Sequence, residues 1–168
     1  DRVNGEHTAE PTKEVTIVDT VTYKYLKEGQ TYKLSGVLMD KATGEPLLVG
    51  EQQVTAELEF TPDSPDGTVE LTYTLDASAL AGKAVVVFED LYQGETLVAS
   101  HADLEDGGQT ITFGQPEIGT TATINGEKTA QPAEQITITD TVEYSGLTIG
   151  QEYKLVGVLM DKSTGEPL

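Results

Sequence analysis

The sequence repeats itself. Displaced by 121 residues, residues 1–47 fall on 122–168 with no gap, and 29 of the 47 positions are identical. Asn4-Gly5-Glu6 lands on Asn125-Gly126-Glu127. Asp19-Thr20-Val21 lands on Asp140-Thr141-Val142, and Gly36-Val37-Leu38-Met39-Asp40-Lys41 on 157–162. A period of that length is the size of a domain, so the chain reads as a tandem array of domains rather than a solenoid of small units. Residues 1–114 are expected to form a first repeat, lacking its opening strand. Residues 115–119 read as a linker stiffened by Pro116, and 120–168 as the first part of the next repeat.

Within one period the pattern is nearly all strand. Residues 15–23 are rich in β-branched side chains, and 31–40 run into a turn at Lys41-Ala42-Thr43-Gly44-Glu45-Pro46. Residues 53–61 and 68–76 alternate apolar and polar about the turn Asp63-Ser64-Pro65-Asp66-Gly67. Residues 83–92, 95–100 and 109–113 complete the unit, and 76–82 are expected to form one helical turn capped by Asp76 and stopped by Gly82. Strands at this spacing predict an all-β fold, an immunoglobulin-like β-sandwich, with a closed barrel as the alternative.

Charge and composition then remove whole classes of function. Ten Lys and Arg stand against 29 Asp and Glu, a net charge of -19. A nucleic-acid partner would need a basic stripe, and an anionic membrane would repel this chain. With no Cys there are no disulfides, thiolate metal sites or thiol nucleophiles. No apolar run is long enough for a spanning helix. No motif implies a cofactor or a metal. The acidic stretch around Asp103, Glu105 and Asp106 lacks the ligand ladder of a calcium loop and reads as a solvated turn.

Two segments carry candidate chemistry. In Lys83-Ala84-Val85-Val86-Val87-Phe88-Glu89-Asp90-Leu91, period two places Glu89 on one face with Val85, Val87 and Leu91. A carboxyl in apolar surroundings keeps its proton to higher pH and can donate it. The bland alternative is that Glu89 ends the strand and reaches water. The second segment is His101-Ala102-Asp103-Leu104-Glu105-Asp106-Gly107-Gly108-Gln109-Thr110, where one of two histidines precedes an acidic turn that Gly107-Gly108 feeds into the last strand.

Val86-Val87-Phe88-Glu89, Thr120-Thr121-Ala122, Asp140-Thr141-Val142, Gly36 to Lys41 and His101-x-Asp103-x-x-Asp106-x-x-Gln109-Thr110 together resemble the VaFE-repeat surface proteins of Gram-positive bacteria. The resemblance covers essentially the whole chain. It implies immunoglobulin-like domains cross-linked by an ester between a first-strand Thr and a last-strand Gln. Carried onto this chain, the pair is Thr120, favoured over Thr121, and Gln109, drawn from adjacent repeats or copies. His101, Asp106 and Glu89 would assist. The resemblance further implies an extracellular, cell-wall-anchored stalk of an adhesin that performs one self-directed reaction. Its partners are neighbouring repeats, with head-to-tail self-association between copies expected through Thr120.

Rival readings are a ligand-binding module presenting Tyr23, Tyr25 and Tyr92, and a hydrolase using His101, Asp106 and Glu89. The related Lys–Asn isopeptide chemistry finds only Asn4 and Asn125, both in turns. Lys83 is the one lysine whose position suggests a Lys–Asp variant.

Overall fold

The computed structural model describes residues 2–168. Thirteen strands follow in order: β1 (Thr8–Ala9), β2 (Val15–Tyr23), β3 (Tyr32–Asp40), β4 (Glu45–Pro46), β5 (Leu48–Val49), β6 (Gln52–Gln53) and β7 (Thr55–Phe60). Then come β8 (Gly67–Leu75), β9 (Ala84–Gln93), β10 (Thr96–His101), β11 (Thr110–Phe113), β12 (Glu117–Thr123) and β13 (Thr139–Ser145). One turn of 3₁₀ helix at Gly107–Gln109 leads into β11.

The larger sheet runs β1-β11-β9-β3-β4, with β7 also on β3 and β10 also on β9. The smaller sheet is the pair β2–β8. Each contributes an alternating inward face, and the two faces form one core. From the small sheet come Val15, Ile17, Leu71, Tyr73 and Leu75; from the large one Leu34, Leu38, Val85, Val87, Ile111 and Phe113. This is an all-β, immunoglobulin-like sandwich. The first and last strands, β1 and β11, are parallel, with Thr8 opposite Thr112.

Two local features differ from expectation. Residues 76–82 form successive turns rather than a helical turn, with Leu80 N–H donating to Ala77 O and Lys83 N–H to Leu80 O. Asp76 does cap the segment, accepting from Ser78 N at 3.0 Å, and Gly82 does close it with φ +75°. Ala77 N–H is drawn to Thr12 O, so the backbone is committed across the sandwich instead of to a helix. Second, β12 begins at Glu117, inside the segment expected to be linker.

Residues 117–145 form a separate two-stranded sheet, β12–β13. Among the described residues no helix is long and apolar enough to cross a membrane.

Candidate functional site

The site is built on the inward face of β9 around Glu89. Glu89 points inward from β9 as period two requires and is only 5% exposed, so the strand-end alternative fails. In the sheet it stands directly opposite Gly36 of β3 on one side and His101 of β10 on the other. Burial, then a hydrogen bond with Asp19, then the charge of Asp19 push its carboxyl up to about 9. Glu89 therefore holds a proton at neutral pH.

Asp19 is the residue that sequence reasoning missed. It is fully buried in β2, inward-facing with Val15, Ile17 and Val21. The signal was present: alternation across Val15-Thr16-Ile17-Val18-Asp19-Thr20-Val21 assigns Asp19 to the core face as surely as it assigned Glu89. Two carboxyls sharing a buried site cannot both ionise cheaply, so the pair keeps a proton between them.

His101 ends β10 and is exposed, with Nε2 3.0 Å from Asp106 Oδ2. Asp106 is the cap of the 3₁₀ turn, its Oδ1 accepting from Gly108 N at 2.7 Å. That backbone donor, and then His101, hold its carboxyl below the usual range. One carboxylate thus fixes both the imidazole and the turn that delivers Gln109. With Nε2–H donated to Asp106, His101 Nδ1 is left as the acceptor.

Gln109 closes the turn, half-buried. Its Oε1 and Glu89 Oε1 are buried and have no hydrogen-bond partner among the described residues. A cavity of about 430 Å³ is lined by Glu89, His101 and Gln109 together with Thr20, Val21, Thr22 and Leu91. A second cleft is lined by Gln109 with Arg2, His7, Asp106 and Gly108. Four of the five expected site residues are therefore brought together.

The fifth, Thr120, is not among them. It sits on β12 opposite Val142, and Thr121 sits opposite Thr141. The internal repeat translates this register. Thr123 opposite Thr139 is the counterpart of the isolated bridge between Arg2 and Val18, so the segment before β1 pairs with β2 at that position in the same register as β12 with β13. Residues paired across an antiparallel ladder share a face. Val142 corresponds to Val21, on the inward face of β2, and Thr141 to Thr20, which is exposed. Of the adjacent threonines, Thr120 thus has the register position of the core face.

The remaining candidates separate plainly. Lys83 Nζ pairs with Asp40 Oδ2 at 3.0 Å on a half-exposed side chain, so it is an ion pair at the surface and not a buried nucleophile. Tyr23 packs on Phe60 with centroids 5.4 Å apart, and Tyr92 is half-buried; only Tyr25 stands free in solvent.

The family model of T-Q ester bond containing domains matches residues 1–113 and again 116–167. No curated protein matches the chain. Among solved structures, a bacterial adhesin from Mobiluncus mulieris containing intramolecular disulfide, isopeptide and ester bond cross-links is similar in two crystal forms. The first is 16% identical with a TM-score of 0.56 over 87% of this chain and 74% of that one. The second is 17% identical with a TM-score of 0.56 over 86% and 73%. At that identity the likeness is one of fold.

Proposed function

The chain belongs to the family of T-Q ester bond containing domains, and we propose that it is a structural repeat of a cell-surface adhesin, stiffened by an ester that each domain makes for itself once. The observation that carries this reading is the convergence of Glu89, His101 and Gln109 on one cavity beneath Val21. A first strand continuing upstream of Arg2 in the register of β12 sets the counterpart of Thr120 opposite Val21. Its hydroxyl then faces the Gln109 carboxamide.

Each group has a task. Folding holds hydroxyl and amide in contact, worth an effective molarity on the order of 10⁵ M or more. His101, anchored by Asp106, takes the hydroxyl proton on Nδ1 as the oxygen attacks the Gln109 carbonyl carbon. The protonated carboxyl shared by Glu89 and Asp19 donates to Gln109 Oε1 and stabilises the tetrahedral intermediate. The C–N bond breaks, the His101 proton passes to the departing nitrogen, and one ammonia leaves for each ester formed. His101 and the carboxyl pair are restored, but the Gln109 side chain is itself consumed in the ester, so a second turnover has no substrate, which separates this reading from a hydrolase.

Intact mass tests it. A chain extended by a copy of residues 115–121 ahead of Asp1 is expected to lose one ammonia, and Gln109→Ala to abolish the loss. Ammonia loss persisting in Gln109→Ala would overturn the assignment. His101→Ala or Glu89→Gln should slow the loss while the sandwich stays folded. The stalk reading is favoured over a ligand-binding module by the tyrosines, since two of the three are packed into the domain.

The second copy supports a further association. Ile118 and Tyr144 on β12–β13 are exposed, and Thr120 shares the inward-type face. Strand addition of this hairpin beside β2 of another copy would be head-to-tail and would propagate. A ladder on denaturing gels that vanishes in Thr120→Ala would support it. Strictly monomeric behaviour in light scattering at high concentration would rule it out.

A further inference from the structure

The carboxyl pair has a third neighbour that the reaction scheme does not use. Tyr73 lies on β8, facing inward, and is 1% exposed. Its ring crosses from the small sheet to the large one and ends at Gly36, where a Cβ would overlap the hydroxyl and approach Leu71 Cδ2 to 2.8 Å. Gly36 is the direct cross-strand partner of Glu89. Leu71, two residues before Tyr73 on the same inward face, is the partner of Asp19. The hydroxyl therefore ends at the cross-strand neighbour of Glu89, within reach of the charges of both Glu89 and Asp19. A glycine in the middle of a central strand weakens the strand, and its usual reason is the close approach of another group. Here that group is the Tyr73 hydroxyl.

Chemistry supplies the rest. The Tyr73 hydroxyl is buried with no hydrogen-bond partner among the described residues, and such a group is costly unless it finds one. The groups that face Glu89 are Asp19 from β2, Tyr73 from β8, His101 from β10 and Asp106 from the loop before β11. Among the described residues that act on Glu89 none is Lys or Arg, although Lys24 lines the same cavity. When the pair carries one negative charge, Tyr73 is the neutral donor within the core that can bind it.

We propose that Tyr73 is a positioning residue of the cross-linking site, its hydroxyl lodged unpartnered in the notch at Gly36 and turning to donate to the Asp19–Glu89 pair when the pair carries its negative charge, so that the pair's own proton is turned towards Gln109. The proposal rests on the ester reading above. No proton leaves Tyr73 in the reaction. It stays a donor throughout, consistent with burial and the charges of Glu89 and Asp19 raising its hydroxyl well above the ordinary tyrosine range.

The test uses the upstream-extended chain, with ammonia loss timed by intact mass between about pH 5 and 10. Tyr73→Phe keeps the ring and removes the donor. A hydrogen bond to a charged group is worth about tenfold in rate, and its loss makes ionising the pair harder by about one pH unit. The expected result is cross-linking slowed about tenfold at neutral pH, with the whole pH–rate profile displaced to the alkaline side. Slowing by the same factor at every pH would mean a packing role only and would overturn the proposal, as would an unchanged rate. In both cases the unsubstituted chain still cross-links, so the ester reading stands. An unsubstituted chain that loses no ammonia brings down both. A second measurement needs no variant. The Tyr73 hydroxyl proton, followed by NMR in the chain as it stands, is expected to exchange slowly and to shift as the carboxyl pair titrates towards pH 9. A fast-exchanging proton indifferent to that titration would overturn the proposal.

Discussion

Residues 32–39 and 153–160 are nearly the same peptide, differing only at Ser35 against Val156, yet they adopt different structures. The first copy is most of β3, paired with β9 on one side and β7 on the other. The second forms no strand beyond a single bridge between Met160 and Pro167. Leu34 is 2% exposed and Leu155 61%; Leu38 is fully buried and Leu159 54% exposed.

The turns around these segments behave otherwise. Asn4 and Asn125 take φ 50° and 51°, in matching bridges Val3–Glu6 and Ile124–Glu127. Tyr32 Oη accepts from Lys27 N at 3.1 Å, and Tyr153 Oη from Thr148 N at 3.0 Å. Turn chemistry closes within a few residues and forms in both copies. Strand is a property of the neighbours, and in this chain 153–160 has no counterpart of β7 or β9 beside it. The proposed cross-linking site belongs to the second kind of structure. Asp19, Glu89, His101 and Gln109 come from four separate segments, so only a completed sandwich assembles them.

The comparison is broken most directly by giving the second copy its neighbours. Joining a copy of residues 48–114 after Leu168 should convert 153–160 into a strand. Its amide hydrogen exchange should slow by about three orders of magnitude or more, approaching the level of β3. If 153–160 stays unprotected, the Ser35/Val156 difference and not the missing partners separates the copies.

Next in size is the cross-link itself. In the upstream-extended chain the ester closes a loop of about 100 residues, worth about 4–5 kcal/mol in the chain-entropy view. Gln109→Ala should lower the first domain's unfolding free energy by that amount and leave exchange in 139–168 unchanged. Equal melting temperatures with and without Gln109 would remove the mechanical rationale for the bond.

How much of this was legible follows the same division. β2 was read from the sequence at its true limits, 15–23, because alternation bounded by polar turns is a local signal. Period two put Glu89 on a face with Val85, Val87 and Leu91 but left open that it ended the strand in water. Asp19 obeyed the same rule but was passed over, because its role depends on a carboxyl 70 residues away that only sheet packing brings to it. Tyr73 and Gly36 likewise become a pair only when β8 is laid across β3. The turns at 76–82 were mistaken for a helical turn because capping residues announce the break in a strand without saying that Ala77 will bond Thr12 across the fold. Nothing local distinguishes 32–39 from 153–160; their different fates follow from the repeat pattern, which reads 120–168 as only the first part of a repeat.

Matched core truncations sharpen the contrast. Leu38→Ala should cost about 2–5 kcal/mol, the range for a large-to-small change in a packed core. Leu159→Ala, the same change in the same sequence context, should fall within about 0.5 kcal/mol. Chemical denaturation of the two variants checks both. A cost at Leu159 near that at Leu38 would show that the second copy packs in solution.

The smallest effect separates the copies by pH. Glu89 binds its proton more tightly in the folded first domain, up to about 9, than an unfolded carboxyl does near its ordinary value of 4.5. Below that lower value both states are protonated, and the group contributes no pH dependence. Between the two values the folded domain holds a proton that the unfolded chain has released, so stability falls as pH rises across this window. The slope is at most about 1.4 kcal/mol per pH unit from this group. Mutual repulsion among 29 acids against 10 bases also grows with pH, so the slope alone does not identify its source. Glu89→Gln and Asp140→Asn make the distinction, because each removes one acidic side chain from the chain's total. Asp140 is the exposed counterpart of Asp19 in the second copy and has no assembled partner. Thermal melts of the first domain from about pH 5 to 9 should therefore flatten for Glu89→Gln and keep their slope for Asp140→Asn. Equal flattening in both would assign the slope to overall charge and leave the buried pair without a measurable share. A flattened profile for Glu89→Gln alone would tie acid-side stability to the same proton that the proposed ester reaction uses.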